Sequence, residues 1–318
     1  MRTVLAGDLG GTKCRFALVS EDFGVHAVQH VPTVRERGAF LTSLDAALTA
    51  ILARIPAGME PPQACGFGTA GVIPADGRSI DRAPNLPLDG FPLAAHVEQR
   101  FRVPTTLLND GRASAWGEFL RGHAAGFDPL LCLFFGTGIG IGLIVGGRPY
   151  AGGSNAAGEI GHTTFVPGGR LCPCGGRGHF EAYCGGRAIT EQAAERLGPL
   201  TGGERWTVGA LVRAAGGSAA GGSDAGATAA RAILAEAETA ACALVENACT
   251  LLNPRAVVLG GGVLDGWPQL AARITAHVQA STSTLIHEGL RFAPTLGGSD
   301  AILWGAAAAT GRLFAAQR

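Results

Sequence analysis

The sequence predicts an α/β protein built from two related halves with a cleft between them, and three observations carry that expectation. Residues 3–19, TVLAGDLGGTKCRFALV, read as an apolar strand, a glycine turn and a second apolar strand. Residues 130–146, LLCLFFGTGIGIGLIVG, repeat the same plan, so the chain looks duplicated. Each hairpin is continued by helix and strand patterns that suit a crossover, and 318 residues are enough for two domains of about 150 each.

The elements follow in order. After the first hairpin, Phe40, Leu41, Leu44, Leu48, Ile51 and Leu52 recur at helical spacing and predict a helix over 40–55, stopped by Pro56. A strand over 64–69 precedes the segment 71–90, where Pro74, Pro84, Pro87 and several glycines forbid regular structure. A helix over 92–101 and a strand over 105–108 lead towards the second hairpin. Residues 214–230 read as a surface loop inside one domain, with a helical pattern resuming after Asp224 and running to Leu252 before Asn253-Pro254. A strand at 256–259, a turn at 260–262 and a helix over 268–279 close the series.

Composition limits the functions. With 25 basic against 25 acidic side chains there is no electrostatic footprint for a polyanion, so nucleic acid is not an expected partner. No apolar run approaches the ~20 residues needed to span a bilayer, and MRTVLAGDLGG lacks the layout of a signal peptide, so no membrane is expected and a cytoplasmic location is. Of the eight cysteines only Cys172 and Cys174 form a tight pair; Cys14, Cys65, Cys132, Cys242 and Cys249 sit in apolar stretches, and no disulfide framework is expected. Glycine, 50 of 318 residues, is more than twice the usual ~7% and falls in short clusters.

Three of those clusters are candidate phosphate turns: Asp8-Leu9-Gly10-Gly11-Thr12 with Lys13, then Gly136-Thr137-Gly138, then Gly260-Gly261-Gly262 between a strand and a helix. Neither of the first two fits a dinucleotide fingerprint or a P-loop. Any one of them could be a plain tight turn, but the three together point to a nucleotide, with Asp8 facing its metal ion. Asp110, at the end of the 105–108 strand, can be a helix cap or the base that accepts a hydroxyl proton during phosphoryl transfer. His162, Cys172, Cys174 and His179, spaced H-x9-C-x-C-x4-H among glycines, are a donor set for a structural tetrahedral zinc.

The motifs DLGGTK at 8–13, LLNDGRASAWGE at 107–118, FGTGIGIG at 135–142, GEIGH at 158–162, CPCGGRGHFE at 172–181 and VVLGGGV at 257–263 resemble those of the ROK family of sugar kinases, over essentially the whole chain. The resemblance implies a duplicated ribonuclease-H-like fold of the actin/hexokinase-like superfamily. It implies a small lobe of residues 1–111 plus about 303–318, and a large lobe of 112–302 with a zinc-binding insertion. It implies Mg2+ with ATP held by Asp8, Gly10, Gly11, Thr12, Lys13, Gly136, Thr137, Gly138 and Gly260–Gly262, with Asp8 acting on magnesium through water. Asp110 becomes the general base for the 6-hydroxyl of a hexose contacted by Asn85, Asn109, Asp110, Glu159, His162 and Glu181.

Glucose is the expected acceptor, which would make the chain a glucokinase; N-acetylglucosamine, N-acetylmannosamine, mannose and fructose are alternatives set by the 71–90 loop, and polyphosphate is an alternative donor. The family also suggests a homodimer. Its sugar-responsive repressors carry a helix-turn-helix ahead of the first glycine turn, whereas seven residues precede Asp8 here, so a kinase is expected. ROK zinc sites usually have three cysteines and one histidine. His179 therefore stands where a cysteine is usual, with Cys184 as the alternative fourth ligand.

Overall fold

The computed structural model describes residues 1–200, 204–216 and 224–313. Strand β1 (Thr3–Leu9) is apolar on both faces because it lies at the centre of a sheet. It turns into the antiparallel β2 (Lys13–Ser20), which pairs with the edge strand β3 (Val25–Pro32). Helix α1 (Arg37–Leu52) begins three residues before the predicted start, because the Glu36 carboxylate accepts from the N–H groups of Gly38 and Ala39. Strand β4 (Cys65–Thr69) runs parallel to β1, helix α2 (Leu93–Phe101) crosses over, and β5 (Thr105–Asn109) runs parallel to β4. Helix α3 (Asp110–Arg121) follows β5 without a connecting loop.

Next come β6 (Leu130–Phe135), β7 (Ile139–Val145) and the short β8 (Arg148–Pro149). Helices α4 (Glu181–Cys184), α5 (Gly186–Leu197), α6 (Val208–Ala215) and the 29-residue α7 (Asp224–Leu252) follow. Then come β9 (Ala256–Gly260), α8 (Gly262–Gly266), α9 (Gln269–Ser281), α10 (Thr284–His287), β10 (Arg291–Pro294) and α11 (Ser299–Ala309). Of the loop expected over 214–230, residues 217–223 lie outside the described residues, and from Asp224 the chain is helical. Among the described residues no helix is long and apolar enough to cross a membrane.

The duplication is visible in the strand order. One sheet runs β3-β2-β1-β4-β5; the other runs β8-β7-β6-β9-β10 when read in the matching direction. In the first, the antiparallel β1–β2 pair joined by a glycine turn is extended by the parallel β4 and β5; in the second, β6 and β7 are likewise joined by a glycine turn, β7 pairs antiparallel with β8, and β9 runs parallel to β10. This is the duplicated α/β fold expected of a hexokinase-like protein.

The chain divides into two compact units. The first comprises residues 1–132, 142–158 and the described residues from Thr295 onward; the second comprises 133–141 and 159–294. The first is larger than the lobe of 1–111 plus 303–318 anticipated from sequence, because α3 packs along α11. The fully buried Glu118 of α3 secures that contact: it accepts from the Thr295 hydroxyl and from the N–H groups of Leu296 and Gly297, at 3.2 and 3.0 Å for the two amides.

Two apolar layers flank the sheet of the first unit. Leu5, Leu9, Phe16, Phe67 and Leu107 meet residues of α1 and α2 on one face, and Val4, Ala6, Ala17 and Val19 meet Ala301, Leu303 and Trp304 of α11 on the other. The second unit is organised around α7, which packs against α4, α5, α6 and α9.

Candidate active site

The strand register of the first unit brings two carboxylates together. Leu9, Thr69 and Asn109 lie opposite one another on β1, β4 and β5, so the carboxyl ends of three parallel strands are level. Asp8 stands one residue before this row and Asp110 one residue after it, as the first residue of α3. The role of helix cap falls to Asn109, whose Oδ1 accepts from the Arg112 N–H at 3.2 Å. That leaves the Asp110 carboxylate for other work; its Oδ1 accepts the adjacent Gly111 N–H at 2.9 Å.

Burial is the largest cause lifting the Asp8 pKa to about 7; the Asp110 charge adds to it, and Arg15 and Lys13 oppose it. The Asp110 pKa is also raised, chiefly by burial. Two half-buried acids with raised pKa values make a place where a divalent cation is favoured, and magnesium takes oxygen ligands of this kind. A lifted carboxylate is also a better proton acceptor near neutrality.

The first glycine turn is tied to β3. The Gly10 carbonyl accepts from the Thr33 hydroxyl at 2.6 Å and the Thr12 carbonyl accepts from the Thr33 N–H at 2.9 Å, leaving Thr12 and Lys13 exposed. Asn85 packs directly on this turn, since a Cβ added to Gly11 would come within 2.6 Å of the Asn85 Cβ. The loop that carries Asn85 is irregular, as expected, but it is fastened. Arg35 donates to the Asn85 carbonyl at 3.0 Å, and Arg37 donates to those of Pro87 and Asp89 at 2.9 and 3.0 Å.

In the second unit the Gly136-Thr137-Gly138 turn is stapled to the start of α5. The Gly136 carbonyl accepts from the Gly186 N–H at 2.9 Å, and the Thr137 carbonyl accepts from the Arg187 N–H at 3.0 Å. Glu181, singled out for sugar, accepts the Ile139 N–H at 2.8 Å and lies over Gly138. A cavity of about 700 Å3 opens beside this turn, lined by Gly136, Thr137, Arg187, Trp206 and Gly262 among others. That volume suits a small-molecule ligand. Gly261 has φ 100° and a Cβ there would meet the Phe135 carbonyl oxygen at 2.5 Å, so the 260–262 turn requires glycine. Sequence reasoning missed Arg187 and Trp206; the Gly185-Gly186 pair before Arg187 was the available signal.

The candidate metal ligands converge. The donor atoms of His162, Cys172, Cys174 and His179 all lie within 4.8 Å of one another. His162 Nδ1 is 3.5 Å from Cys172 Sγ, and His179 Nδ1 is 3.2 Å from Cys174 Sγ. A tetrahedral zinc with ordinary bond lengths needs nitrogen–sulfur separations of about 3.5 Å, so two thiols and two imidazoles fit that ion. Cys184 is outside the cluster: its buried thiol donates to the Phe180 carbonyl at 3.3 Å, so His179 is the residue placed to complete the set. With His162 Nδ1 facing the cluster, its Nε2 looks towards Glu159, 3.7 Å from Oε2.

Comparison with known proteins gives a consistent picture. The profile of the ROK family matches residues 4–310. A glucokinase from Streptomyces coelicolor is 35% identical over 196 residues, which cover 62% of this chain and 60% of that protein, so the aligned part spans less than two thirds of that relative. A glucokinase from Halalkalibacterium halodurans is 30% identical over 301 residues, covering 92% of this chain and 90% of that protein. The crystal structure of a ROK family glucokinase from Streptomyces griseus in complex with glucose and AMPPNP superposes with a TM-score of 0.76 at 29% identity, covering 96% of this chain and 98% of that one.

Proposed function

The chain belongs to the ROK family, and from that membership we propose that it is an ATP-dependent hexose kinase that phosphorylates glucose at the 6-hydroxyl. The observation that carries this reading is the Asp8–Asp110 pair at the level ends of the parallel strands, with Asn109 already serving as the helix cap. Likeness to glucokinases, one of them solved with glucose and a nucleotide analogue, supports the choice of substrates.

Phosphoryl transfer asks little covalent chemistry of a protein; it needs an acceptor held in line and a base at its proton. Asp110 takes the proton of the sugar 6-hydroxyl as O6 bonds to the γ-phosphorus, and the bond from phosphorus to the β,γ-bridging oxygen breaks to release ADP. Asn85, Asn109, Glu159, His162 and Glu181 are the residues we assign to the acceptor's hydroxyls. The first turn, with Thr12 and Lys13, takes phosphate oxygens. The turns at 136–138 and 260–262, with Arg187 and Trp206, hold the nucleoside in the 700 Å3 cavity.

Asp8 would hold magnesium, which when bound would supply positive charge to the transferring phosphoryl group. His162, Cys172, Cys174 and His179 would hold a zinc ion, and its role would be structural, because four protein ligands leave no open position. Bound there, it would brace the segment bearing Glu159 and hold His162 with Nδ1 towards the metal and Nε2 towards Glu159. In this reading the enzyme is cytoplasmic and homodimeric.

A coupled assay of ADP release, run with a panel of hexoses and N-acetylhexosamines and with ATP or polyphosphate as donor, tests the proposal. Glucose with ATP is expected to give the highest kcat/KM. Absence of turnover with every sugar would overturn the kinase reading, and a clear preference for an N-acetylhexosamine would overturn the assignment of glucose.

A further inference from the structure

Residues 150–158 join β8 to the segment bearing Glu159 and contain a non-glycine residue with left-handed backbone, Asn155, at φ 58°. Glycine is the usual occupant of such a position, and asparagine is among the few residues that tolerate it. Here both polar atoms of the carboxamide are used. Its Oδ1 accepts from one Arg112 guanidinium nitrogen, while the Asn155 main-chain carbonyl accepts from the other at 2.8 Å. Its Nδ2 donates to the carbonyls of Ile73 and Pro74, the second at 3.1 Å. Arg112 is 4% exposed and stands two residues after Asp110 on α3; its main-chain N–H is the one capped by Asn109. Ile73 and Pro74 begin the loop over 71–90, whose Asn85 lies on the first glycine turn.

One side chain therefore ties the helix that begins at Asp110 to the loop that faces the acceptor. We propose that Asn155 is a positioning residue for the sugar: through Arg112 on one side and the Ile73 and Pro74 carbonyls on the other, it sets where the acceptor loop lies relative to Asp110. The inference rests on the kinase reading above. It requires asparagine at this site, because glycine gives the backbone without the bridge, and aspartate keeps the bond to Arg112 but cannot donate to the two carbonyls. A misplacement of the acceptor by about 1 Å costs phosphoryl transfer up to about a hundredfold, so a small shift of the loop is kinetically visible.

Asn155→Gly and Asn155→Asp are the informative substitutions, the first compatible with the backbone and the second with the contact to Arg112. In both, glucose kcat/KM is expected to fall at least about tenfold and discrimination between glucose and N-acetylmannosamine to weaken, while KM for ATP moves by less than about twofold. A purely structural role would instead lower thermal stability with glucose and ATP constants changing together. Unchanged glucose kinetics in either folded variant, or equal losses for glucose and ATP, would overturn the proposal. Asp110→Asn, assayed alongside, separates the two levels. If it is inactive while the Asn155 variants behave as wild type, only the positioning role fails; if it retains full turnover, the kinase mechanism and the positioning role fail together.

Discussion

The Asp110 carboxylate raises the pKa of Asp8, a contribution second only to burial, and Asp110 is itself lifted by burial. A base must be ionised to accept a proton, so glucose kcat/KM is expected to drop on acidification through a limb lying above the ordinary aspartate value of about 3.9. Asp110→Asn keeps the shape and removes the base. It should lower kcat by about 10²–10⁴-fold without lowering thermal stability at neutral pH, and steady-state kinetics across pH together with a thermal melt check both effects. An Asn variant with wild-type turnover would remove Asp110 from the chemistry.

Asp8 carries a stability consequence of opposite sign to its proposed use. Its folded pKa of about 7 lies above the ordinary value of 3.8, so the folded protein binds the proton more tightly than the unfolded chain. The resulting stabilisation is complete below the unfolded value and is lost as pH rises towards the folded one. In metal-free and nucleotide-free protein, Asp8→Asn should therefore raise stability at pH 8 by about 1–3 kcal/mol and leave it nearly unchanged at pH 4. The same variant should lose magnesium-dependent turnover. Thermal melts at the two pH values decide the first point; a destabilised variant at pH 8 would contradict it.

The two hairpins and their duplication were legible because an apolar run, a glycine turn and a second apolar run form a local signal needing no tertiary partner. Strand β3, VHAVQHVP, escaped notice because it is half-exposed, holds Ala27 at φ 51° and is irregularly paired, so its apolar pattern is broken. Strands β8 and β10 have two and four residues, too short for any periodicity. The four side chains that could hold a metal ion were readable because they fall within 162–179, whereas the choice between His179 and Cys184 needed the direction of the Cys184 thiol. That the helix cap is Asn109 and not Asp110 could not be read from the sequence, because either side chain stands at the strand-to-helix junction. Arg187 and Trp206 could not be read at all as a pair, because only the fold brings α5 and the 204–208 segment to one cavity wall.

The metal site predicts a ranked series at position 179. Wild-type protein should hold about one zinc per chain, and His179→Cys should keep it, because thiolate and imidazole are both good zinc ligands. His179→Ala should lose the metal, lower the melting temperature and raise KM for glucose more than KM for ATP, since Glu159 and His162 sit on the segment that the ion braces. Elemental analysis together with kinetics on the three proteins distinguishes these outcomes. An Ala variant with full zinc content would place the fourth ligand elsewhere.

Trp206 gives the cavity proposed for the nucleotide an internal reporter. Its indole N–H donates to the Gly198 carbonyl at 2.7 Å, which holds the ring at the cavity wall. A nucleotide base settling there changes the surroundings of that ring, and an aromatic contact of this kind is worth about 0.5–1.5 kcal/mol, or about two- to tenfold in affinity. Trp206→Ala should therefore raise KM for ATP by that factor with glucose KM little altered, and Trp206→Phe, which keeps an aromatic face, should lose less. The chain has four tryptophans, so ATP-dependent quenching of intrinsic fluorescence must be compared with the Phe variant, in which it should largely vanish. Quenching that persists in Trp206→Phe, together with wild-type KM for ATP in Trp206→Ala, would show that the nucleoside binds away from this cavity.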